Sequence, residues 1–516
     1  MMKGKVKWII AGGFLLGTFI MLVTANILWG RHMIDSDYAT QLLLSKICSE
    51  EKRILTDSWV YGNEIRFINT QIIYGLVFLF TADWSVVRTI GNAILYLLML
   101  GAYFYMMKQV KIDAIYKLAG GGGVLIPYSI VALSIIYMSA DYLPPVCIMF
   151  IVLGAFLRIV ESVDQKNRKY VTRDTIILGA VSLLAGMNGF RSVLVIAAPL
   201  CLTGLYRSVF RMKSTIKNEL YVWIVFMVSF TAGIAVNMCW LMDRYGFSSH
   251  GTLSFAEIGS GILLENIERC LGAFLGSMGY AAAPVFTLHG IIDMAVLCFA
   301  VYAVYMVIRN LRYEKESFSE EFLKQFLICS ILFNFLFYGI TDNRMLIPRY
   351  VIHINSLLIP VLLICLYQEK NKTKKYILMI VMIGFFGIGA ARTYYSLAMN
   401  DYNENRYASI NFLKENHLEF GYATPWNAGV ITELTDGEIE VVNMGDIVEG
   451  VPKLETCPKR WFTEPYEKPC FLLLSRKEYS EYSGSGKLSN GELAYEDENF
   501  IIFVYQDAED ICSFRM

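Results

Sequence analysis

Long apolar runs recur along the first 400 residues of this 516-residue chain, and they constrain the fold more than any other feature. About 20 consecutive apolar residues cross roughly 30 Å of hydrocarbon as a helix. Spans are expected at 8–29, 86–107, 119–138, 142–160, 175–187, 190–206, 221–241, 285–308, 322–340, 350–368 and 376–397. The fifth and sixth are short enough to be one bent segment. The fold class predicted is a polytopic α-helical membrane protein of about 11 transmembrane helices.

Composition agrees: 55% of residues are hydrophobic and only 18% charged, against about 25% charged in an ordinary soluble domain. Soluble enzymes, disordered chains and nucleic-acid binders are excluded on this ground. The formal net charge of −1 conceals a division. Residues 400–516 carry 22 Asp/Glu and 10 Lys/Arg, a net of −12; residues 1–399 carry 35 Lys/Arg and 24 Asp/Glu, a net of +11. The expected organisation is a membrane body, 1–399, and a soluble α/β domain, 400–516. The tail supplies strand-like runs at Phe471–Leu474 and Phe500–Tyr505 and a helix-like start at Tyr407–Asn416.

Lys and Arg accumulate in cytoplasmic loops. With a cytoplasmic N-terminus, 23 of the 35 basic residues of the body fall inside. That parity predicts a multi-pass cell-membrane protein whose loop 30–85 and tail both face outward. The first span also has the basic start of a signal peptide, with Val23-Thr24-Ala25 as a cleavage-like site; its length favours retention. The outer segment 242–284 holds a weakly amphipathic stretch suited to the membrane surface.

Ionisable residues are scarce in mid-span and gather at the expected outer face, which favours chemistry there over conduction through the bilayer. Asp35 and Asp37 follow the first span, ahead of a helix expected from Tyr38 to about Lys52. Ser36 or Asp37 suits its N-cap; a carboxylate there also suits general-base chemistry, and the two roles are compatible. In the same loop Trp59, Asn63, Glu64 and Arg66 read either as an ordinary exposed segment or as sugar-stacking and hydrogen-bonding contacts. Arg344 and Arg349, with Tyr350, stand outward of the ninth span, against the inside bias. Snorkelling to headgroups and a guanidinium clamp on phosphate both account for them. Arg191 lies at the outward bend between the fifth and sixth spans, and Asp141 on the same side.

No P-loop, His-Glu-x-x-His or nucleophile elbow occurs, and the five histidines are scattered. No cofactor is expected, and a divalent metal stays open. Gly120–Gly123 lacks the Lys-Ser/Thr of a nucleotide loop and reads as a packing or bending feature. A Cys457–Cys470 disulfide is conceivable without a tidy framework around it.

Taken in order, these motifs resemble the GT-C superfamily of membrane glycosyltransferases. The likeness is particularly to bacterial members similar to the protein O-mannosyltransferases and the aminoarabinose transferases of lipid A. The resemblance rests on Asp35-Ser36-Asp37-Tyr38 after the first span, on Ala82-Asp83-Trp84-Ser85-Val86-Val87-Arg88 entering the second, on Asp141 between the third and fourth, and on Pro348-Arg349-Tyr350 before a late span. It extends into the tail at Phe412–Asn416 and Gly421–Ala428. It implies a polyprenyl-phosphate sugar donor, an extracytoplasmic acceptor, inversion at the sugar carbon and an aspartate of the first outer loop as base. Many members show Asp-Glu where this chain has Asp-Ser-Asp; spacing to Leu42-Leu43-Leu44 favours Asp37 over Asp35. Partners implied are the lipid-linked donor, the acceptor and membrane lipid, with no nucleic acid. A lipid or polysaccharide flippase would need polar mid-span residues, and a non-catalytic scaffold would leave the aspartates as caps.

Overall fold

The computed structural model describes residues 2–62, 64–164, 168–210, 216–245, 255, 261–311, 317–341, 347–464, 466, 468–483, 488–512 and 514. The chain is a multi-pass membrane protein. Among the described residues nine helices are long and apolar enough to span: Lys5–Met33, Trp84–Met107, Leu143–Val163, Phe190–Phe210, Glu219–Arg244, Leu288–Asn310, Phe318–Ile340, Pro348–Gln368 and Lys372–Glu415.

Two of the eleven expected spans are not among them. The expected 119–138 span is broken. Helix Ala114–Gly123 stops at the glycine run, Pro127 follows, and a separate segment starts at Ile130 under the Ser129 cap. Proline cannot donate the bond that would carry a helix through, and the residue before it is pushed towards extended backbone. The glycines act as a packing feature. A Cβ on Gly120 would meet the Tyr103 hydroxyl, and one on Gly122 would lie 2.5 Å from a ring carbon of Phe14. The second case, 175–187, is helical within Arg168–Met187, but its first turns carry Arg173 and Asp174. Asp174 is fully buried and pairs with Arg158 at 3.2 Å. The bend to the next helix falls at Gly189, whose φ of 78° suits glycine.

The chain forms two compact units. One comprises 1–24, 93–240 and 251–396; the other comprises 25–92, 241–250 and 397–516. The first unit is helical. Buried Arg207 is paired, as a charge in an apolar interior should be: it bonds both oxygens of Glu219 at 2.9 and 3.1 Å, and also Glu321 and Gln325.

The second unit groups the loop after the first span with the tail, where the sequence suggested a division at residue 400. The reason is a shared core. In the loop, β1 (Trp59–Val60) pairs antiparallel with β5 (Cys457–Pro458) of the tail, with Trp59 opposite Pro458. The tail's own sheet has β2 (Phe420–Ala423), β3 (Glu440–Asp446), β4 (Val451–Pro452), β6 (Cys470–Ser475), β7 (Glu492–Glu496) and β8 (Phe500–Tyr505), in the order β4-β3-β2-β6-β8-β7. The centre, β3-β2-β6, is parallel, and the flanking pairs are antiparallel. Phe471–Leu474 and Phe500–Ile502 are buried, as continuous apolar strands of a two-sided sheet should be. Helix Pro425–Leu434 connects β2 to β3. Cys457 and Cys470 are both free thiols and are not joined.

Candidate active site

Within the second unit, the first loop begins with a four-residue 3₁₀ turn, Gly30–Met33, and then helix Ser36–Glu51. The N-cap of that helix is Asp35, not Ser36 or Asp37. Its Oδ1 accepts from the Tyr38 amide at 2.9 Å, satisfying one of the orphan donors of the first turn. Three cap-competent residues stand in a row here, and the extended backbone of Asp35 (φ −122°, ψ 179°) selects it.

Asp35 keeps an open face to solvent, yet protein atoms crowd its carboxyl. That desolvation raises its pKa from 3.8 to about 6; the amides of Tyr38 and Asp37 oppose the rise, and the Asp37 carboxylate adds to it. Asp37 lies in the first turn and is exposed. The two expected bases thus share one helix start, with different environments.

A buried ion pair sits behind them. Arg88 donates from Nε and Nη2 to the two oxygens of Glu433, each at 2.8 Å, and from Nη2 to the Tyr38 carbonyl at 3.1 Å. Both side chains are 4% exposed. The guanidinium also lies over the Tyr38 and Tyr74 rings. Burial pushes the Glu433 carboxyl above the ordinary carboxylate range, and Arg88 beside it holds back part of that rise. Arg88 was visible in the sequence motif; Glu433, 345 residues on, carried no signal.

The other loop candidates separate. Trp59 is buried, at 2% exposure, on the strand that pairs with β5. Glu64 and Arg66 form a half-buried pair at 3.3 Å. Asn63 lies outside the described residues, as does Arg344.

In the first unit, Arg191, Arg349, Tyr350 and Tyr142 come together. The Arg191 guanidinium is 4.4 Å from the Tyr142 ring centroid and 5.6 Å from that of Tyr350; Arg349 is also 5.6 Å from Tyr350. Two cations flank one phenol ring, and half-buried Asp141 is the neighbour of Tyr142 in the chain. Cation–π contact orders both forks without consuming their N–H donors. Sequence reasoning did not single out Asp293 or Arg392. Asp293 is buried, accepts from the Ala283 amide at 2.9 Å and lies 3.4 Å from Arg392. Arg392 lines an apolar cavity of about 800 Å³ with Tyr128, Tyr280, Phe299, Phe385 and Ile388. A charge inside an apolar helix was the available signal. Among the described residues no three His, Cys, Asp or Glu side chains gather as metal ligands would.

No protein-family model matches the sequence, and no curated protein matches it. Solved structures do resemble the fold. ArnT from Cupriavidus metallidurans, solved bound to undecaprenyl phosphate, matches with a TM-score of 0.56 at 12% identity, over 96% of this chain and 98% of that one. The oligosaccharyltransferase of Archaeoglobus fulgidus was solved tethered by a disulfide to an acceptor peptide containing the NVT sequon. It matches with a TM-score of 0.48 at 13% identity, over 97% of this chain and 74% of that one. The chain has the GT-C fold, as the sequence resemblance implied.

Proposed function

We propose that this protein is a membrane glycosyltransferase that moves a sugar from a polyprenyl-phosphate donor to an extracytoplasmic acceptor, with inversion. The observation that carries the reading is the fold shared over nearly the whole chain with ArnT, a protein solved with undecaprenyl phosphate bound. Asp35 and Asp37 just beyond the first span supply the base that such a transfer needs.

The reaction balances simply. The base takes the proton of an acceptor hydroxyl, and the oxygen attacks the anomeric carbon from the face opposite the phosphate. The bond from that carbon to the phosphate oxygen breaks, and the polyprenyl phosphate leaves with the electron pair. Sequence spacing favours Asp37 as base. The local geometry favours Asp35, and we assign the role to it: two backbone amides orient its carboxyl, and a pKa of about 6 leaves it ionised yet basic near neutrality. Arg191 and Arg349, with Arg344 for its expected outward placement, are assigned to the phosphate, where guanidinium forks stabilise the charge that develops on the leaving group. The apolar cavity beside Arg392 suits an isoprenoid chain. A flippase reading has little support, because Arg158 with Asp174, Arg207 with Glu219 and Arg392 with Asp293 are held in ion pairs.

The test needs no knowledge of the sugar. Lipids that co-purify with the protein are extracted and identified by mass spectrometry. A polyprenyl phosphate, free or sugar-linked, is the expected species. Arg191→Ala and Arg349→Ala should each lower its recovery by roughly tenfold or more, the loss of a charge-assisted bond, with Lys replacements intermediate because a point charge lacks the fork. Absence of any polyprenyl phosphate from the wild-type preparation overturns the proposal.

A further inference from the structure

Helix Pro425–Leu434 is buried along its length except at its start, where Trp426 is 73% exposed. Positions 426, 429 and 433 share a helix face. Gly429 lies against the first turn of the Asp35 helix: a Cβ there would be 3.2 Å from the Ala39 Cβ and 3.8 Å from the Ser36 carbonyl. Glu433 holds Arg88, which bonds the Tyr38 carbonyl. Trp426 therefore extends the very face that packs on the start of the Asp35 helix, and its indole projects beyond the contact.

A second exposed ring is tied to the same framework. Tyr402 is 53% exposed, and its amide donates to the His32 carbonyl at 3.2 Å. Arg406 braces the pieces: Nη1 donates to the Tyr402 carbonyl at 3.1 Å and to Asn403 Oδ1 at 3.0 Å, and Nη2 donates to Asn427 Oδ1 at 3.0 Å. Asn403 is fully buried and donates to the carbonyls of Arg31 and Ile34, the latter just before Asp35. One guanidinium and one amide thus fix the backbone beside Asp35, Tyr402 and Trp426 together.

We propose that Trp426 and Tyr402 form a carbohydrate clamp for the acceptor, beside Asp35. This rests on the glycosyltransferase reading and names its acceptor class: a neutral sugar ring. Indole and phenol offer rigid apolar faces for the C–H face of a pyranose, and their polar rims, with the aspartates, meet its hydroxyls. Asp401 and Glu404 flank Tyr402 closely in the chain, and Asn403 ties this segment to the Ile34 carbonyl beside Asp35; these carboxylates disfavour an anionic lipid surface as the occupant. The carboxylates are also engaged locally. Asp401 accepts from the Tyr407 hydroxyl and the Asn403 amide and lies 3.6 Å from His32; Asp35 caps its helix. That leaves less attraction for a cationic peptide.

Saturation-transfer NMR on the full chain in detergent, with methyl glucoside, methyl mannoside and methyl galactoside as probes, tests this directly. Irradiating aromatic protons should label sugar C–H protons in the wild type. The transfer should fall roughly five- to tenfold in Trp426→Ala, with Tyr402→Ala also reduced and Trp426→Phe largely retained, as expected for stacking. Asp35→Asn should keep the signal while losing turnover. Thermal melts equal to the wild type establish that the variants fold. A wild-type signal unchanged in both alanine variants overturns the clamp, as does no signal with any probe or a Trp426→Ala defect confined to binding of lipid vesicles or cationic peptides. The readout needs no donor, so failure of the clamp and failure of the polyprenyl-phosphate reading appear in separate experiments.

Discussion

Asp35→Asn is expected to abolish most sugar transfer while leaving the fold intact. Removing a positioned general base costs about 10²- to 10⁴-fold in rate. The readout is release of polyprenyl phosphate from the sugar-linked donor in the presence of cell-envelope acceptor. Asparagine is a good N-cap, and its carbonyl oxygen can still accept from the Tyr38 amide, so helix Ser36–Glu51 keeps its start. The stability effect has a definite sign. The folded pKa of Asp35 lies above its ordinary value of 3.8. Its contribution to stability is therefore complete below that value and is lost as pH rises through about 6. At neutral pH the ionised carboxylate is a cost, and the amide removes it. Thermal stability of Asp35→Asn should equal or slightly exceed that of the wild type at pH 7, with the difference vanishing in acid. In the wild type, kcat/KM should fall about tenfold per pH unit below about 6 and level off above it, since only the ionised form accepts a proton. Asp37→Asn should leave that acid limb in place. Full activity in Asp35→Asn, or loss confined to Asp37→Asn, returns the assignment to Asp37.

The same residues show what a sequence makes legible. The membrane class was readable because each apolar run is a local property, long enough to cross hydrocarbon without help from distant chain. The tail's strands at Phe471–Leu474 and Phe500–Tyr505 were readable for the same reason. Where local signals compete, reading slipped by a residue or a span. Asp35, Ser36 and Asp37 can all cap, and only the backbone geometry chooses. Averaged apolarity hid the break that Pro127 puts in the expected third span. Pairings remote in sequence were not legible at all. Trp59 read as a loop aromatic, and its strand pairs with β5, some 400 residues on. Glu433 looked like one acid among the 22 of the tail. Arg191, Arg349 and Tyr350 were chosen because arginines outside the inside bias demand an explanation, and the fold brings those three together.

Arg88→Met should be the most destabilising substitution in the unit formed by the first loop and the tail. It strands the Glu433 carboxylate in a buried site, and breaking a buried ion pair from one side costs about 3–5 kcal/mol. The Tyr38 carbonyl loses its charged donor as well, so the turn that presents Asp35 loosens. The size of the defect should depend on pH in a particular direction. Burial already raises the Glu433 pKa, and without Arg88 nothing offsets that rise. The variant can recover by protonating Glu433, so its deficit should be greatest at high pH and shrink as pH falls through the elevated pKa. Glu433→Gln on the Arg88→Met background removes the ionisable group and should flatten that dependence. Replacing the pair with apolar residues, Arg88→Met with Glu433→Leu, should restore most of the stability, because a buried pair contributes little beyond its own desolvation. Thermal melts of the four proteins between pH 5 and 8 measure all of this. A pH-independent deficit in Arg88→Met would mean that the arginine acts through packing on Tyr38 and Tyr74 rather than through charge. The double apolar variant then separates fold from chemistry. If it is stable yet slow in transfer, the ion pair serves to hold the Tyr38 turn, and with it Asp35, in register for proton abstraction.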